Sequence, residues 1–249
     1  MGCVKLHILD EQYKRTELKV SYINKKLTSN FCAENLRSGM LVRYVDADGR
    51  EVKVYFQANG NTYAWTFNGS NQAQAPANQF VQDFLTSYNY NVGNGGGESM
   101  YTLANSRDMT VNLRDDINNS HTAGLIRWNP RWASITKEGY TYSPATSLEH
   151  EMAHALSYLT DLKAHNARVE TTDKQYDNKE EMRVITSAEA KTAQANGEFP
   201  AGYVRTDHAN HGDIRVASPN GTTQMHATTP LRNQDSPNLW DRIKQWFNQ

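Results

Sequence analysis

Apolar and polar residues alternate along several stretches of the chain, a pattern typical of β-strands that bury one face. In residues 51–67 the alternation runs on both sides of an Asn-Gly-Asn turn, which predicts a β-hairpin. Residues 17–27 and 40–46 are predicted to form further short strands, and the alternation returns in residues 108–142. The sequence therefore predicts strands on both sides of its middle region, with a mixed sheet in residues 108–142.

Helical spacing of apolar residues first appears in residues 79–90, where Phe80, Phe84 and Tyr88 fall on one face. Such a stripe is far more often core than a ligand surface, so we predict that it packs inside the domain. The glycine-rich residues 91–99 end this pattern and are predicted to form a linker or mobile loop.

Three more helices are predicted towards the carboxyl terminus. Ser143-Pro144 can open a helix over residues 146–162, and Thr146 and Glu149 have the spacing of a capping box. A second helix is predicted over residues 178–196, with an acidic first turn that suits a helix amino terminus. The amphipathic residues 239–247 predict a terminal helix that packs on its own domain.

Composition narrows the classes of function. The 249 residues carry a net charge of −1 with 21% charged residues, which gives no electrostatic reason to expect nucleic acid as a partner. No apolar run approaches the roughly 20 residues of a membrane helix, and no classical signal peptide is recognisable, so stable membrane insertion is not expected. Cys3 and Cys32 lie apart from every other feature and are assigned no role.

The sequence His150-Glu151-Met152-Ala153-His154 lies within the first of the carboxyl-terminal helices. Positions four apart share one face of a helix, so the two imidazoles can bind one Zn²⁺ ion. Glu151 stands beside the metal without being a ligand, where a general base can take a proton from water. The small and apolar neighbours predict that this face is buried, where an ionisable pair requires a partner such as a metal.

Catalytic zinc usually has three protein ligands and one open position. The helix predicted over residues 178–196 supplies three candidates for the third ligand: Glu180, Glu181 and Glu189. Helical phase favours Glu181, because it shares a face with the apolar residues that point towards the core. Glu180 points partly aside, and Glu189 lies on a weaker apolar face, so both are also candidates for supporting the ligands.

The segments HEMAH, NKEEMRVITSAEA and NGEFPAGYVRTDH, in this order, resemble the bacterial effector and Rhs-associated toxin zinc metallopeptidases. The resemblance covers about residues 123–210. The same order of segments is more distantly similar to the light chains of clostridial neurotoxins, which are gluzincins. It implies that Glu181 is the zinc ligand, with Glu180 as the preceding family glutamate. It also implies that Arg205 stabilises the oxyanion, because a preorganised cation favours the negative charge that develops on the tetrahedral intermediate. The family tyrosine is replaced by His208, and Tyr203 is a substitute to be tested.

Together these features predict an α+β fold: a small amino-terminal β-rich appendage, residues 1–98, and a zincin-like metallopeptidase domain, residues 99–249. The expected function is that of a zinc metalloendopeptidase with one Zn²⁺, held by His150, His154 and Glu181 and served by Glu151 and Arg205 as catalytic residues. Residues 123–135 are the predicted edge strand for an extended substrate.

The resemblance implies a secreted or specially delivered effector or toxin that cleaves a protein or peptide substrate. An immunity protein or a delivery apparatus is the further kind of partner that it implies. The alternative is a catalytically inactive zinc-binding interaction module of the same fold. HExxH predicts metal binding, but His208 in the tyrosine position would mark the loss of the contacts that stabilise the transition state.

Overall fold

A computed structural model describes residues 39–59, 62–67, 70–72 and 74–225 of the chain. All of them belong to the compact unit Ser38–Gln249. The predicted strand at 17–27, the two cysteines and the predicted terminal helix at 239–247 lie outside the described residues.

The larger sheet contains seven strands in the order β4-β3-β2-β1-β5-β7-β6. Strand β1 pairs in parallel with β5, and β5 pairs in parallel with β7, whereas the other neighbours are antiparallel. The predicted hairpin is confirmed as β2 and β3. The strands are β1 Gly39–Val45, β2 Glu51–Asn59, β3 Thr62–Phe67, β4 Ser70–Gln72, β5 Thr110–Asp115, β6 Ser120–Thr122 and β7 Leu125–Trp128.

Two smaller sheets accompany the large one. One has the order β12-β8-β9 and the other pairs β10 with β11. Their strands are β8 Trp132–Ile135, β9 Thr141–Tyr142, β10 Thr172–Asp173, β11 Asp177–Asn178 and β12 Asp213–Arg215.

Six α-helical segments complete the described chain. A π turn, Ile185–Glu189, joins the last two into one rod that matches the helix predicted over residues 178–196. The segments are α1 Gln79–Gly93, α2 Glu98–Asn105, α3 Pro144–Thr160, α4 Leu162–Val169, α5 Lys179–Val184 and α6 Ala190–Ala195. This mixture of helices and largely antiparallel sheets is compatible with the predicted α+β class.

The main core lies between the seven-stranded sheet and helices α1, α2 and α3. Phe80, Phe84 and Tyr88 of α1 are all buried, which confirms the prediction that this aromatic stripe is core. Burial of such large apolar side chains is the main driving force for folding. The core residues from the other elements include Met40, Val54, Phe56, Trp65, Met100, Leu103, Leu113, Trp128, Leu148 and Met152.

Strand β1 connects the two predicted parts of the chain. It is hydrogen-bonded to β2 on one side and to β5 on the other, with Met40 opposite Val111 in the parallel register. Strands before and after the predicted division between residues 98 and 99 therefore share one sheet and one core. Sequence alternation identifies strands but not the partners that they select, because a parallel pairing joins segments far apart in the chain.

Residues 91–99 are not the predicted linker or mobile loop. Helix α1 continues to Gly93, and α2 begins at Glu98 after a tight turn in which Gly96 and Gly97 are buried. Gly97 has a φ of 65°, which glycine adopts without penalty, and a Cβ on Gly96 would lie 2.8 Å from the Cα of Thr192. Glycine is needed here for close packing and a reversed backbone, not for mobility.

Helix α3 starts slightly earlier than predicted and is capped differently. The hydroxyl of Ser143 accepts the backbone N–H of Thr146 at 3.2 Å, so Ser143 is the N-cap and Pro144 follows at the first helical position. The carboxylate of Glu149 does not form the predicted capping box. It accepts the backbone N–H groups of Ser99 and Met100 at 2.7 and 3.0 Å, which fixes the start of α2 against α3.

The Gly96 contact gives a test of this packing. We expect Gly96→Ala to lower the free energy of unfolding by about 1–3 kcal/mol, because the new methyl group would meet the backbone of α6. Exposed Gly93→Ala has nothing within 4 Å and serves as the matched control, with an expected change within about 0.5 kcal/mol. Urea unfolding measures both changes. Equal stabilities of the two variants would contradict the packing described here.

Candidate metal centre and catalytic cleft

Helix α3 buries the HExxH sequence beneath the sheet. His150, Glu151 and His154 are 7%, 8% and 5% exposed, so all three are shielded from most of the solvent. The beginning of the helix is held by neighbouring elements: Trp128 Nε1 donates to the carbonyl of Pro144 at 2.8 Å, and the Asn91 amide donates to that of Ala145 at 2.7 Å. Functional side chains on a well-anchored helix are positioned more reproducibly than side chains on loops.

His150, His154 and Glu181 form a group that could hold a metal ion. Nε2 of His150 lies 3.1 Å from Nε2 of His154, and Oε2 of Glu181 lies 3.2 Å from each of these nitrogens. Tetrahedral ligands at about 2.0–2.1 Å from zinc are separated by about 3.3 Å. The three atoms thus have the separations of one face of a zinc tetrahedron, and their chemistry, two imidazoles and a carboxylate, fits this metal.

Two further carboxylates contact the histidines at the ring nitrogens that face away from this point. Glu189 Oε2 lies 2.7 Å from Nδ1 of His150, and Glu180 Oε1 lies 3.5 Å from Nδ1 of His154. A carboxylate at the second nitrogen fixes the ring orientation and makes the first nitrogen a better ligand. Of the three glutamates considered from sequence, Glu181 is therefore the one in the group that could hold a metal ion, and the other two lie behind the histidines.

The π turn explains how Glu181 and Glu189 reach the same histidine. In a regular α-helix, eight residues would leave the two side chains roughly 80° apart around the axis. The π turn at Ile185–Glu189 contains one additional residue per turn, which offsets about 100° and aligns the two carboxylates. Helical phase calculated from the sequence placed Glu189 on a weaker face, because no sequence signal announced this turn.

Burial and neighbouring charges shift the acidities of the site. Burial raises the pKa of Glu151 above its usual range, against the opposing effect of the adjacent histidines. Burial alone would lower the pKa of His150, but hydrogen bonds with Glu181 and Glu189 outweigh it and raise that pKa to about 10. Without metal, the imidazole of His150 is therefore protonated at neutral pH.

Arg205 is buried behind the candidate metal ligands. Its Nε donates to Oε1 of Glu189 at 2.6 Å, Nη2 donates to Oε2 at 2.8 Å, and Nη1 donates to the carbonyl of His208 at 3.0 Å. In this structure Arg205 thus acts on His150 through Glu189. The direct oxyanion contact that the resemblance implies stays a prediction for this residue, which does reach the wall of the cleft.

The loop that carries Arg205 also contains Tyr203, His208 and His211, and these three side chains have different neighbours. His208 lines the cleft, and its Nε2 is 3.5 Å from Oε2 of Glu181. The hydroxyl of Tyr203, considered from sequence as a substitute, instead contacts Glu138 at 2.5 Å and Thr136 at 3.1 Å. His211 pairs with Asp207 at 2.9 Å.

Comparison with known proteins agrees with this chemistry. Residues 69–234, about two thirds of the chain, match the peptidase family M91, whose members are described as effector proteins. The chain belongs to this family. The prediction of a bacterial effector metallopeptidase family is thereby confirmed, and membership indicates a peptidase that acts on protein and is secreted or delivered. No curated protein and no solved structure gives a significant match.

The M91 chain has an open cleft of about 400 Å³ in front of the candidate metal centre. His150, Glu151 and His208 form part of its wall, and Ile117 and Trp132 are exposed apolar residues at the same cleft. No helix among the described residues has the length and apolar character needed to cross a membrane. The cleft is large enough to admit a short peptide segment.

The predicted edge strand at residues 123–135 is wrong. Strand β7 lies between β5 and β6, and β8 lies between β12 and β9, so neither offers a free edge. Among the described strands it is β6 that ends the seven-stranded sheet beside α3, and residues 117–119, which lead into it, line the cleft. Sequence alternation cannot distinguish edge from interior strands, because both show the same period.

Several supporting residues were not recognised from the sequence. His121 on β6 stacks on His154 with ring centroids 6.2 Å apart, and Arg168 on α4 donates to Glu180 at 2.5 Å. Arg183 contacts the same carboxylate at 2.6 Å. Only Arg183 had a local signal, since it lies three residues after Glu180 on one helix. The other contacts join distant segments.

The proposed third ligand can be tested by metal binding. We expect Glu181→Gln to weaken Zn²⁺ binding at least about 100-fold, beyond the effect of removing a residue that only supports a ligand. Exposed Glu98→Gln is the matched control and should bind Zn²⁺ like the unaltered protein. Competition with a chromophoric chelator measures both affinities. Unchanged affinity in Glu181→Gln would exclude Glu181 as a ligand.

Metal binding should also depend on pH. Because the raised pKa of His150 keeps the ring protonated without metal, and a ligand nitrogen must be unprotonated, Zn²⁺ binding should release a proton. Affinity should therefore rise with pH between 6 and 8, by about tenfold per pH unit for each proton released. Calorimetry in buffers of different ionisation enthalpy measures this release. A binding enthalpy that does not vary with the buffer would contradict it.

Proposed function

We propose that this M91 effector is a zinc-dependent metalloendopeptidase with a zincin-like domain. The observation that carries the proposal is the convergence of His150 Nε2, His154 Nε2 and Glu181 Oε2 within 3.1–3.2 Å, with Glu151 buried beside them at the wall of an open cleft. Family membership supplies the peptidase class. The ligand set and the adjacent carboxylate favour zinc and peptide hydrolysis within that class.

Glu151 is the proposed general base and acid. Bound zinc would polarise the scissile carbonyl and make a water molecule acidic near neutral pH. Glu151 accepts a proton from the water molecule while the water oxygen attacks the carbonyl carbon. When the C–N bond breaks, Glu151 returns the proton to the nitrogen of the departing amine. A carboxylate whose pKa is raised by burial suits both halves of this transfer.

The substrate is proposed to bind as an extended peptide along the cleft. Strand β6 has a free edge in the described sheet, and residues 117–119 continue it along the cleft wall. Main-chain hydrogen bonds to such an edge hold a peptide without requiring one particular sequence. Exposed Trp132 and Ile117 then offer apolar surface to its side chains. This arrangement replaces the pairing at residues 123–135 that was expected from the sequence.

Glu151→Gln tests the function. Because the amide cannot accept a proton, we expect the turnover rate to fall by about 10²–10⁴-fold while Zn²⁺ remains bound with unchanged stoichiometry. Cleavage of a random decapeptide library, analysed by mass spectrometry, measures turnover and identifies the best-cleaved peptide. Exposed Glu170→Gln is the control and should cleave normally.

Chelation completes this experiment. A chelator should abolish cleavage, and added Zn²⁺ should restore it. Full activity of Glu151→Gln would overturn the mechanism. An unaltered protein that binds Zn²⁺ but cleaves no peptide or denatured protein would instead support the inactive interaction module.

A further inference from the structure

Asp213, Ser134 and Tyr142 form a row across the small sheet β12-β8-β9. Asp213 is the register partner of Ser134 on β8, and Ser134 is in turn the partner of Tyr142 on β9. Register partners in adjacent strands lie on the same face of a sheet. All three residues line the cleft in front of the candidate metal centre. This face of the small sheet is therefore one wall of the cleft, and the proposed mechanism uses none of the three.

Trp132 belongs to the same wall. It lies two residues before Ser134 on β8, so the two side chains share one face of the strand. Its register partner on β12 is Arg215, which places Trp132 diagonally across from Asp213. Diagonal neighbours on one face are about 7–8 Å apart, within the reach of an aromatic side chain. Trp132 is 41% exposed and lines the cleft, whereas Arg215 does not line it. An exposed indole and a carboxylate are thus neighbours in the cleft.

The carboxylate of Asp213 is oriented through one of its two oxygens. Oδ1 accepts hydrogen bonds from the hydroxyl of Ser134 at 3.0 Å and from the side-chain amide of Asn210 at 2.8 Å. Within the described part of the chain, Oδ2 accepts no hydrogen bond, and no lysine or arginine forms an ion pair with this carboxylate. Asp213 is also exposed. The oriented carboxylate therefore keeps one oxygen available to a ligand in the cleft.

The other carboxylates that line the described cleft already have partners or a proposed role. Both oxygens of Glu189 accept hydrogen bonds from Arg205, at 2.6 and 2.8 Å, so these two charges offset each other. Glu151 is the proposed general base beside the candidate metal position. The negative charge of Asp213 is thus left for a cationic group of the substrate. The neighbouring indole adds a cation–π contact, for which tryptophan is the best ring.

We propose that Asp213 and Trp132 form a subsite for a basic side chain of the substrate, so that this peptidase selects protein segments with lysine or arginine near the cleaved bond. This inference rests on the proposed peptidase function. The ammonium or guanidinium group pairs with Oδ2 of Asp213, and the methylene stem lies against the indole of Trp132. A neutral side chain in the same place leaves the carboxylate unpaired, so the discrimination appears in kcat/KM.

The experiment compares peptides that differ only in charge. In the products of the peptide library, arginine and lysine should be enriched at one position near the cleaved bond. A peptide with arginine at that position should have a kcat/KM about tenfold above that of the same peptide with citrulline, a neutral side chain of nearly the same shape. Amino-terminally acetylated peptides should keep this ratio, which distinguishes recognition of a side chain from recognition of the α-amino group.

Asp213→Asn tests the carboxylate. Asparagine keeps an oxygen that can accept from Ser134 and Asn210, so the wall is preserved while the charge is removed. We expect the arginine-to-citrulline ratio of kcat/KM to fall from about tenfold to within about twofold, because the ion pair is lost. Asp108→Asn is the matched control: Asp108 is exposed and does not line the cleft, so the tenfold ratio should remain.

Trp132→Leu tests the indole. Leucine retains apolar surface in the cleft but has no aromatic face. The same ratio should therefore fall by about two- to fivefold, the size of an exposed cation–π contact.

The outcomes separate this inference from the function on which it rests. Cleavage without a basic preference at any position would overturn the subsite and leave the peptidase in place, and so would a preference that survives in Asp213→Asn or disappears on acetylation. Zn²⁺-loaded Glu151→Gln, which should bind peptides without turnover, should show the same tenfold preference in affinity, and equal affinities would also overturn the subsite. If the unaltered protein cleaves nothing, the function and the inference both fail.

Discussion

The arrangement on which the site depends is that His150 and His154 each direct one ring nitrogen towards the candidate metal position and the other towards a buried carboxylate. Glu189 and Glu180 are 0% and 1% exposed. A buried charge is costly unless it is paired, and removing one partner of a buried pair typically costs about 3–5 kcal/mol. Arg205 pairs with Glu189, whereas Arg168 and Arg183 pair with Glu180. The arginines therefore stabilise the charge of the two buried carboxylates, which allows these carboxylates to orient the histidines.

This charge network requires α3 to be fixed relative to the helical rod formed by α5, the π turn and α6. On one side, the aromatic core and the contacts of Glu149 hold α3 against α1, α2 and the large sheet. On the other side, the cap of Asn178 sets where the rod begins, since its side chain accepts the N–H groups of Glu180 and Glu181. The π turn then aligns Glu181 with Glu189. Rigid packing on both sides is what allows the ligand atoms to lie within 3.2 Å of one another.

The cleft combines two properties that suit an M91 effector. Its lining includes the polar residues His150 and Glu151, residues 117–119, which lead into the end strand β6, and the exposed apolar side chains of Ile117 and Trp132. Recognition through a strand edge depends mainly on the substrate backbone, and the apolar walls add preference for particular side chains. Under the proposed function, such a site would admit an extended segment of a protein more readily than a compact domain. The loop that carries Arg205 and His208 contributes further residues to the lining of the cleft.

The sequence by itself determined those features that depend on local periodicity and spacing. It predicted the hairpin, the aromatic core stripe, the helix that carries HExxH and the acidic helix after it, because each is set by residues within one or two turns or strands. It also favoured Glu181 among three candidate glutamates by helical phase, and Glu181 lies with His150 and His154 in the group that could hold a metal ion. Only the tertiary structure decided that strands β1 to β3 share a sheet with β5 to β7, that Gly96 is a packing contact, and that β6 is an end strand of the large sheet. It likewise decided the contacts of Arg205 with Glu189 and of Asp177 with His208. These features join segments that are distant in sequence, and no local pattern records which distant partner a strand or a charge will meet.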